Sequence, residues 1–346
     1  MTVTTLANNR FLRRYLRYFY HYWLSRGGRY RKNIRTVTLE VSNICNLNCP
    51  MCGVPRLKRD KGLMTLGDFK LIASKLPPNL RLLKLTYAGE PLLNKDIFAM
   101  IRHYRGVNGS ARIRVSTNGT NLHAFDPAEI LASGVDQIDV AIEGATARTH
   151  EDYRKGSDFE AVCAGVKTLC AEKKRQRSDS PKIVQMTLLS KKSVAELDEI
   201  KKLAASLGAD ELHLRYMAIP GLGKKASDLK ASIYSYINEE QRRKQVGEYA
   251  AEEPYGLYVR KGSTYRISGE LRHCSSFLTP MIYYNGDVSV CCFDGEGAHV
   301  FGNLLKEDFE TVASRIPAKA IFGRKLPLCK SCVLSQKGMN YAEIAV

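Results

Sequence analysis

The chain has 346 residues, long enough to bury one large core or split into two, and its apolar fraction of 44% and charged fraction of 25% are ordinary for a folded protein in water. Ten cysteines in a chain of this length do not make a small disulfide scaffold, and no charged start, apolar run and small-residue cleavage site marks a signal peptide. The net charge of +18 favours anionic partners, but no signature of a nucleic-acid-binding module accompanies it, so nucleic acid is not expected.

Residues 9–32 hold eight Arg or Lys interleaved with eight aromatics. Phe11, Tyr15, Phe19 and Tyr22 or Trp23 recur at helical spacing, with Arg10, Arg13, Arg14 and Arg17 on the other faces. Asn9 is a candidate cap, and Gly27-Gly28 ends the helix. Such a helix is too charged to span a bilayer. It can lie on an anionic membrane surface, or cover the end of the fold with its arginines in water.

From residue 35 to about 217, strand and helix patterns alternate. Strands are expected at 36–42, 81–87, 112–116, 137–142, 182–189 and 211–216. Between them, helices are expected at 66–76 behind a Thr65 cap, near 95–105, 126–133 and 158–176, and after a capping box of Ser193 and Glu196. This alternation argues for a parallel α/β architecture. The first strand, with Val37, Leu39 and Val41 alternating, runs into a loop that carries Cys45, Cys49 and Cys52 at C-x3-C-x2-C spacing. Thiolates this close can wrap one iron–sulfur cluster, and a cubane normally takes four. Three would leave one iron open. A zinc knuckle built this way would lack a local fourth ligand.

Four more segments fall at strand ends or just beyond them. Tyr87-Ala88-Gly89-Glu90-Pro91 follows the second strand, Ser116-Thr117-Asn118-Gly119-Thr120 ends the third and Ala141-Ile142-Glu143-Gly144 ends the fourth. Glu151-Asp152-Tyr153-Arg154-Lys155-Gly156 comes after it. With the cysteine loop, they resemble the radical S-adenosylmethionine (SAM) superfamily. The resemblance implies a partial (β/α)6 TIM-like barrel, with a 4Fe–4S cluster on Cys45, Cys49 and Cys52 and SAM across the strands' C-terminal mouth. It also implies that Ala88 and Gly89 allow close backbone approach and that Glu90 or nearby carbonyls receive SAM's amino group. Ser116 and Asn118 would face the ribose, and Arg154 would pair with the carboxylate. Met51 and the strand segment up to Leu189 would wall the adenine. Ala88 and Ala141 depart from the family's glycine and serine, and nothing rests on position 141.

Cys163 and Cys170 lie seven apart on one apolar helix face and read as core. His213 and Arg215 alternate on the sixth strand and share a face, where they either meet substrate or pack as ordinary polar residues. Residues 218–250 read as a linker and a solvated helix, and 255–267 as a strand pair turning at Lys261-Gly262-Ser263.

The C-terminal region holds Cys274, a hairpin turning at Asn285-Gly286 that ends in Cys291-Cys292, and Cys329-x2-Cys332. Four thiolates here could hold structural zinc. Their order resembles the SPASM or shorter twitch extension of radical SAM proteins, which implies an auxiliary 4Fe–4S cluster on Cys274, Cys291, Cys329 and Cys332, with Cys292 the alternative to Cys291. The organisation expected is a basic aromatic helix at 1–34, the barrel at 35–220, a linker and strand pair at 221–265, and a small cysteine-rich α+β domain at 266–346.

For such a chain the resemblance implies reductive cleavage of SAM and hydrogen abstraction from a small polar, carbohydrate-like and anionic substrate, in a dehydrogenation or epimerisation. Cys292, His213 and Arg215 are the candidates for the remaining chemistry. Modification of a peptide is the second reading, and a non-enzymatic metal scaffold the third. An acidic flavodoxin or ferredoxin-type electron donor would suit the basic surface. Clustered thiols imply a reducing, cytoplasmic setting, with the first helix a contact to the inner membrane surface.

Overall fold

The computed structural model describes residues 10–26, 31–50, 52–189, 193, 195–216, 258–261, 264–267, 274–292, 294–323, 325–326, 329 and 344–345. Helix α1 spans Arg10–Leu24, and strand β1, Thr36–Leu39, follows it. The alternating series is then α2 Leu66–Lys75, β2 Leu82–Leu85, α3 Ile97–Val107, β3 Arg112–Thr117, α4 Pro127–Ala132 and β4 Gln137–Ala141. It continues through α5 Ala147–Tyr153, α6 Phe159–Arg175, β5 Lys182–Leu189, α7 Leu197–Leu207 and β6 Glu211–Tyr216. All six expected strands form, and each pairs parallel with the next. The sheet is a partial barrel with helices on its outer side.

Caps explain the helix starts. Thr65 accepts the N–H of Asp68 at 3.0 Å, and the carboxylates of Asp126 and Asp158 do the same for α4 and α6. The expected capping box at Ser193 and Glu196 gives way to Glu196 itself as the N-cap, with no side-chain cap bond and with its N–H donating to Ser193 O at 3.2 Å. Helix α7 starts at Leu197, and the Glu196 carboxylate turns away to accept Ala145 N–H at 2.8 Å and the hydroxyl of Thr149. Tertiary donors at the end of β4 outbid the local cap.

Beyond β6 come β7 Tyr258–Lys261 and β8 Thr264–Ile267, paired antiparallel as expected. The expected linker at 218–250 lies outside the described residues. Strands β9, Met281–Ile282, and β10, Val288–Ser289, form the expected hairpin. It closes by a type I-like turn followed by Gly286 at φ +86°, with Gly286 N–H donating to Tyr283 O at 2.9 Å. Helices α8 Phe309–Arg315 and α9 Ala318–Phe322 follow, and β11, Ile344–Ala345, pairs with β8.

The hairpin's destination was not legible in the sequence. Strand β9 pairs parallel with β1, extending the sheet to eight strands in the order β10-β9-β1-β2-β3-β4-β5-β6. The C-terminal cysteine region is thereby docked beside the strand that feeds the first cysteine loop.

One core unites the outer strand residues Val37, Leu39, Leu83, Leu85, Ile113, Val115, Ile138, Val140 and Ile183 with the helices and with Phe277, Ile282 and Phe322. Cys163 is buried in it and Cys170 packs at its edge. The first helix joins through Tyr18 and Tyr22. The stripe expected at Phe11, Tyr15, Phe19 and Tyr22 or Trp23 is therefore split, since Phe19 and Trp23 face outward. The inward face is set by where α9 lies, not by where aromatics are densest.

Candidate active site

The first cysteine loop is clamped at its base. Asn43, fully buried, donates from Nδ2 to Asp60 O at 2.7 Å and accepts Gly62 N–H at 2.7 Å, so the chain returns beside its start. Ser42 closes a local turn with Ile44, and Asn94 bridges Val41 O and Met64 O. Inside this frame Cys49 is buried while Cys45 and Cys52 are half-buried. Backbone N–H groups already face sulfur: Leu47 N lies 3.4 Å from Cys45 Sγ and Val54 N 3.5 Å from Cys52 Sγ. Burial pushes the Cys45 and Cys49 thiols up, and the neighbouring thiols raise them further. A coordinating metal overrides that and holds thiolates. Among the described residues no three His, Cys, Asp or Glu converge on a single ion's position. Three thiols on one loop fit the donor set of a multi-iron cluster with one corner left for another ligand. Met51 lies outside the described residues.

The turn after β2 presses against this loop. Gly89 has φ +76°, and a Cβ there would stand 2.5 Å from Ser42 O and 2.7 Å from Ile44 O, so only glycine fits. Ala88 is buried with Val54 and Leu57 against Cys45 and Cys52. Glu90 is 2% exposed, and its N–H donates to Ile44 O at 2.7 Å. Its carboxylate accepts from Leu92 N, Asn118 N and the Thr117 hydroxyl. Burial raises its pKa and those donors oppose the rise. Glu90 thus locks the ends of β2 and β3 together. Asn118 donates to Asn46 Oδ1 at 3.1 Å and faces Cys45 Sγ at 3.8 Å, which fastens the cysteine loop to β3. Ser116 donates to Asp139 at 2.9 Å.

Beyond β4, Arg154 reaches back to the loop. Its NH1 lies 4.0 Å from Cys49 Sγ, and its remaining nitrogens pair with Glu143, whose other oxygen accepts Leu188 N–H at 2.6 Å. Asn48 N–H donates to Lys155 O, a second tie between loop and segment. Glu143 was passed over in the sequence, although it sits inside a strand-end segment already singled out. His150 braces it: Nδ1 accepts Glu143 N–H at 3.1 Å, and Nε2 lies 3.0 Å from Ser157 Oγ. Burial, with Arg154 nearby, lowers the His150 pKa to about 4 and keeps the ring neutral. Leu189 ends β5 opposite Tyr216, at the same mouth.

The barrel side of the strands is the second surprise. One row runs Thr38, Lys84, Arg114, Gln137 and Lys182 across five strands, and the next runs Ser116, Asp139, Val184 and Glu211. Barrel interiors of the closed type are filled by Val, Ile and Leu. Here Arg114 pairs with buried Asp139, which also accepts from Gln137 at 2.8 Å, and Lys182 pairs with Glu211 at 2.6 Å. His213 shares this face by register with Met186, and its Nε2 lies 2.8 Å from Glu211. Arg215 holds the next position on the same face, beside Leu188. The signal was present as charged residues alternating along β3, β4 and β6, but only pairing register joins them into a surface.

The C-terminal thiols come from separate segments. Cys274 is half-buried with Sγ 3.0 Å from Ser276 Oγ, and its N–H donates to Phe322 O. Cys291 and Cys329 are half-buried, Cys292 is exposed, and Cys332 lies outside the described residues. Burial raises the Tyr87 pKa, and Tyr283, Asp294, Glu40 and, least, Cys292 add to the rise. Between the two cysteine regions stands a buried bridge. Arg59 pairs with Glu40 through both guanidinium NH groups, donates from Nε to Gly295 O at 2.6 Å and lies 4.5 Å over the Tyr283 ring. Glu296 accepts the N–H groups of Lys58 and Arg59. Nothing in the spacing of these residues announced the bridge.

Known proteins resemble the chain in sequence and in fold. Residues 39–204 match the radical SAM superfamily, and residues 274–333 match SPASM, an iron–sulfur cluster-binding domain. An AdoMet-dependent heme synthase from Methanosarcina barkeri is 28% identical over 59% of this chain, and a probable GTP 3′,8-cyclase from Sulfurisphaera tokodaii is 26% identical over 60%. The matches span 56% and 64% of those two proteins. Among solved structures, Streptococcus suis SuiB bound to the precursor peptide SuiA superposes with a TM-score of 0.60, at 16% identity, over 94% of this chain and 75% of SuiB. At that identity the likeness is one of fold.

Proposed function

We propose, for a chain that is a radical SAM enzyme with a C-terminal SPASM domain, a reaction on a small, polar, anionic substrate of carbohydrate-like character. The observation that carries this is the charged barrel side of the sheet. By register, strands β2 to β6 carry Lys84, Arg112, Arg114 and Lys182 on that side with Asp139 and Glu211, and Arg215 holds a backbone position in the same alternation. A hollow lined this way suits hydroxyls and a phosphate or carboxylate better than an apolar chain. The matched GTP cyclase, with a phosphorylated substrate in its name, fits the same chemistry.

The domain pair implies a SAM-binding 4Fe–4S cluster and an auxiliary iron–sulfur cluster. When bound, the cofactors would supply one-electron cleavage of SAM and the radical chemistry for hydrogen abstraction. The protein's own part is positioning. Cys45, Cys49 and Cys52 hold the first cluster, and the Gly89 turn lets SAM's amino end approach the backbone. Asn118 and Ser116 would face the ribose, and Leu189 would help to wall the adenine, with Met51, outside the described residues, assigned to that wall by resemblance alone. Glu143 holds Arg154 beside Cys49, ready to exchange one partner for SAM's carboxylate. Cys274, Cys291, Cys329 and Cys332 would hold the auxiliary cluster, which would leave Cys292, exposed, as a spare thiol. As a thiol it would donate a hydrogen atom in an epimerisation, its thiyl radical being reduced again by the external electron donor, whereas an oxidation would use His213, oriented by Glu211, as base and pass the substrate radical's electron to the auxiliary cluster. The basic surface suits an acidic flavodoxin or ferredoxin-type donor.

Anaerobic reconstitution should give about eight irons per chain, for two four-iron clusters. Incubation with SAM, reductant and deuterated phosphosugars or cyclitols should then carry deuterium into 5′-deoxyadenosine. Four irons would remove the auxiliary cluster. Deuterium transfer from a peptide substrate alone would instead favour peptide modification, the second reading, which the likeness to peptide-bound SuiB keeps in view.

A further inference from the structure

Helix α1 has two unlike sides. Tyr18 and Tyr22 turn inward, stacked at 6.1 Å between ring centroids and packed on Phe322 of α9 at 5.7 and 5.9 Å. On the far side Leu16, Phe19, Tyr20 and Trp23 follow i, i+3, i+4, i+7 spacing and form one stripe. These four are 58%, 48%, 51% and 51% exposed, and the other large exposed hydrophobics among the described residues are spread singly along the chain. Single ones need no explanation, but a stripe does.

The charge beside the stripe has one sign. Residues 1–39 contain nine Arg or Lys and no Asp or Glu. Arg13 and Arg17 take the helical positions next to Leu16 and Tyr20, and Arg26 follows the last turn. No described helix is long and apolar enough to cross a membrane. An RNA backbone would satisfy the arginines but leave Leu16 and Phe19 in water. A bilayer surface offers both phases, and Trp and Tyr favour its boundary.

We propose that α1 docks the protein onto an anionic lipid bilayer. It lies in the surface plane with Leu16, Phe19, Tyr20 and Trp23 at the acyl boundary, while Tyr18 and Tyr22 hold it to α9. The attachment is independent of what the barrel acts on.

The chain's one tryptophan is Trp23, so its emission reports on α1 alone. With the reconstituted full-length protein, vesicles of equimolar phosphatidylglycerol and phosphatidylcholine should shift that emission to the blue. Lipids brominated on the acyl chains should quench it, and the protein should sediment with the vesicles. Phosphatidylcholine alone should retain about tenfold less protein. Leu16→Asp with Phe19→Asp should lower partitioning about tenfold and leave SAM cleavage in solution unchanged. If that variant loses cleavage, bromolipid quenching of the unaltered protein decides the matter. Unshifted emission with anionic vesicles, or undiminished sedimentation of a folded variant, overturns the proposal. So does a blue shift that appears on concentrating the protein without lipid, which marks a second copy as occupant, or one that only an RNA oligonucleotide produces.

Discussion

The two faces of the sheet share every strand and almost nothing else. On the outer face Val37, Leu39, Leu83, Leu85, Ile113 and Val115 are sealed from water and merge with the helices. On the barrel side, one residue away in each case, Lys84, Arg114, Ser116 and Lys182 keep partial access to solvent and pair with one another's neighbours. The period of two in an extended chain makes this possible, because alternate residues never compete for the same surroundings. The apolar packing is concentrated on one face, and the proposed chemistry on the other and at the strand ends. Substitutions on the two faces should therefore fail in different ways.

The largest contrast is expected at the mouth. Cys45→Ala should abolish SAM cleavage, measured as 5′-deoxyadenosine release, because the first cluster loses a ligand from a loop that offers three. Residual cleavage near the unaltered rate would break the assignment of the site. On the outer face, Ile113→Ala should cost about 2–5 kcal/mol in denaturant unfolding, since Ile113 is fully buried and its cavity cannot fill with water. Its cleavage rate per folded molecule should hold.

Asp139→Asn tests the barrel side. It leaves Arg114 without its carboxylate, and the stability loss should stay near 1–3 kcal/mol because Arg114 retains some access to water. Substrate-dependent deuterium transfer should fall much further than SAM cleavage without substrate. Equal losses in both would mean that the interior is only structural.

The smallest effect belongs to His150, at the seam where β4 leaves the sheet. Its native pKa of about 4 lies below the unfolded value, so the folded protein binds fewer protons in between. Stability from the neutral ring is complete above about pH 6.5 and is lost as pH falls toward 4. Protonation would also set an N–H against the N–H of Glu143. From pH 7 to 5.5, the unfolding free energy should drop about 1 kcal/mol more in the unaltered protein than in His150→Gln. Matching slopes would show that the ring charges freely.

Much of this was written locally. The thiol loop, the strand-end segments and the β9–β10 turn at Asn285-Gly286 each carry their chemistry within a dozen residues, and the parallel alternation follows from period and caps. Glu143, Glu40 and Arg59 were missed for the opposite reason. Each acts through a partner that the sequence gives no cause to pair with it: Arg59 binds Glu40 and also meets Tyr283 and Gly295, which lie there because β9 seats beside β1.

The sequence by itself determined the parallel alternation of strands and helices and nominated the thiols and strand-end segments at their ends, because ligand spacing and side-chain periodicity are properties of neighbouring residues. Only the tertiary structure decided that the C-terminal hairpin extends the sheet, which carboxylate steadies which arginine, and which side of α1 meets water. Those outcomes depend on pairing register and on contacts between segments hundreds of residues apart, and no local pattern encodes them.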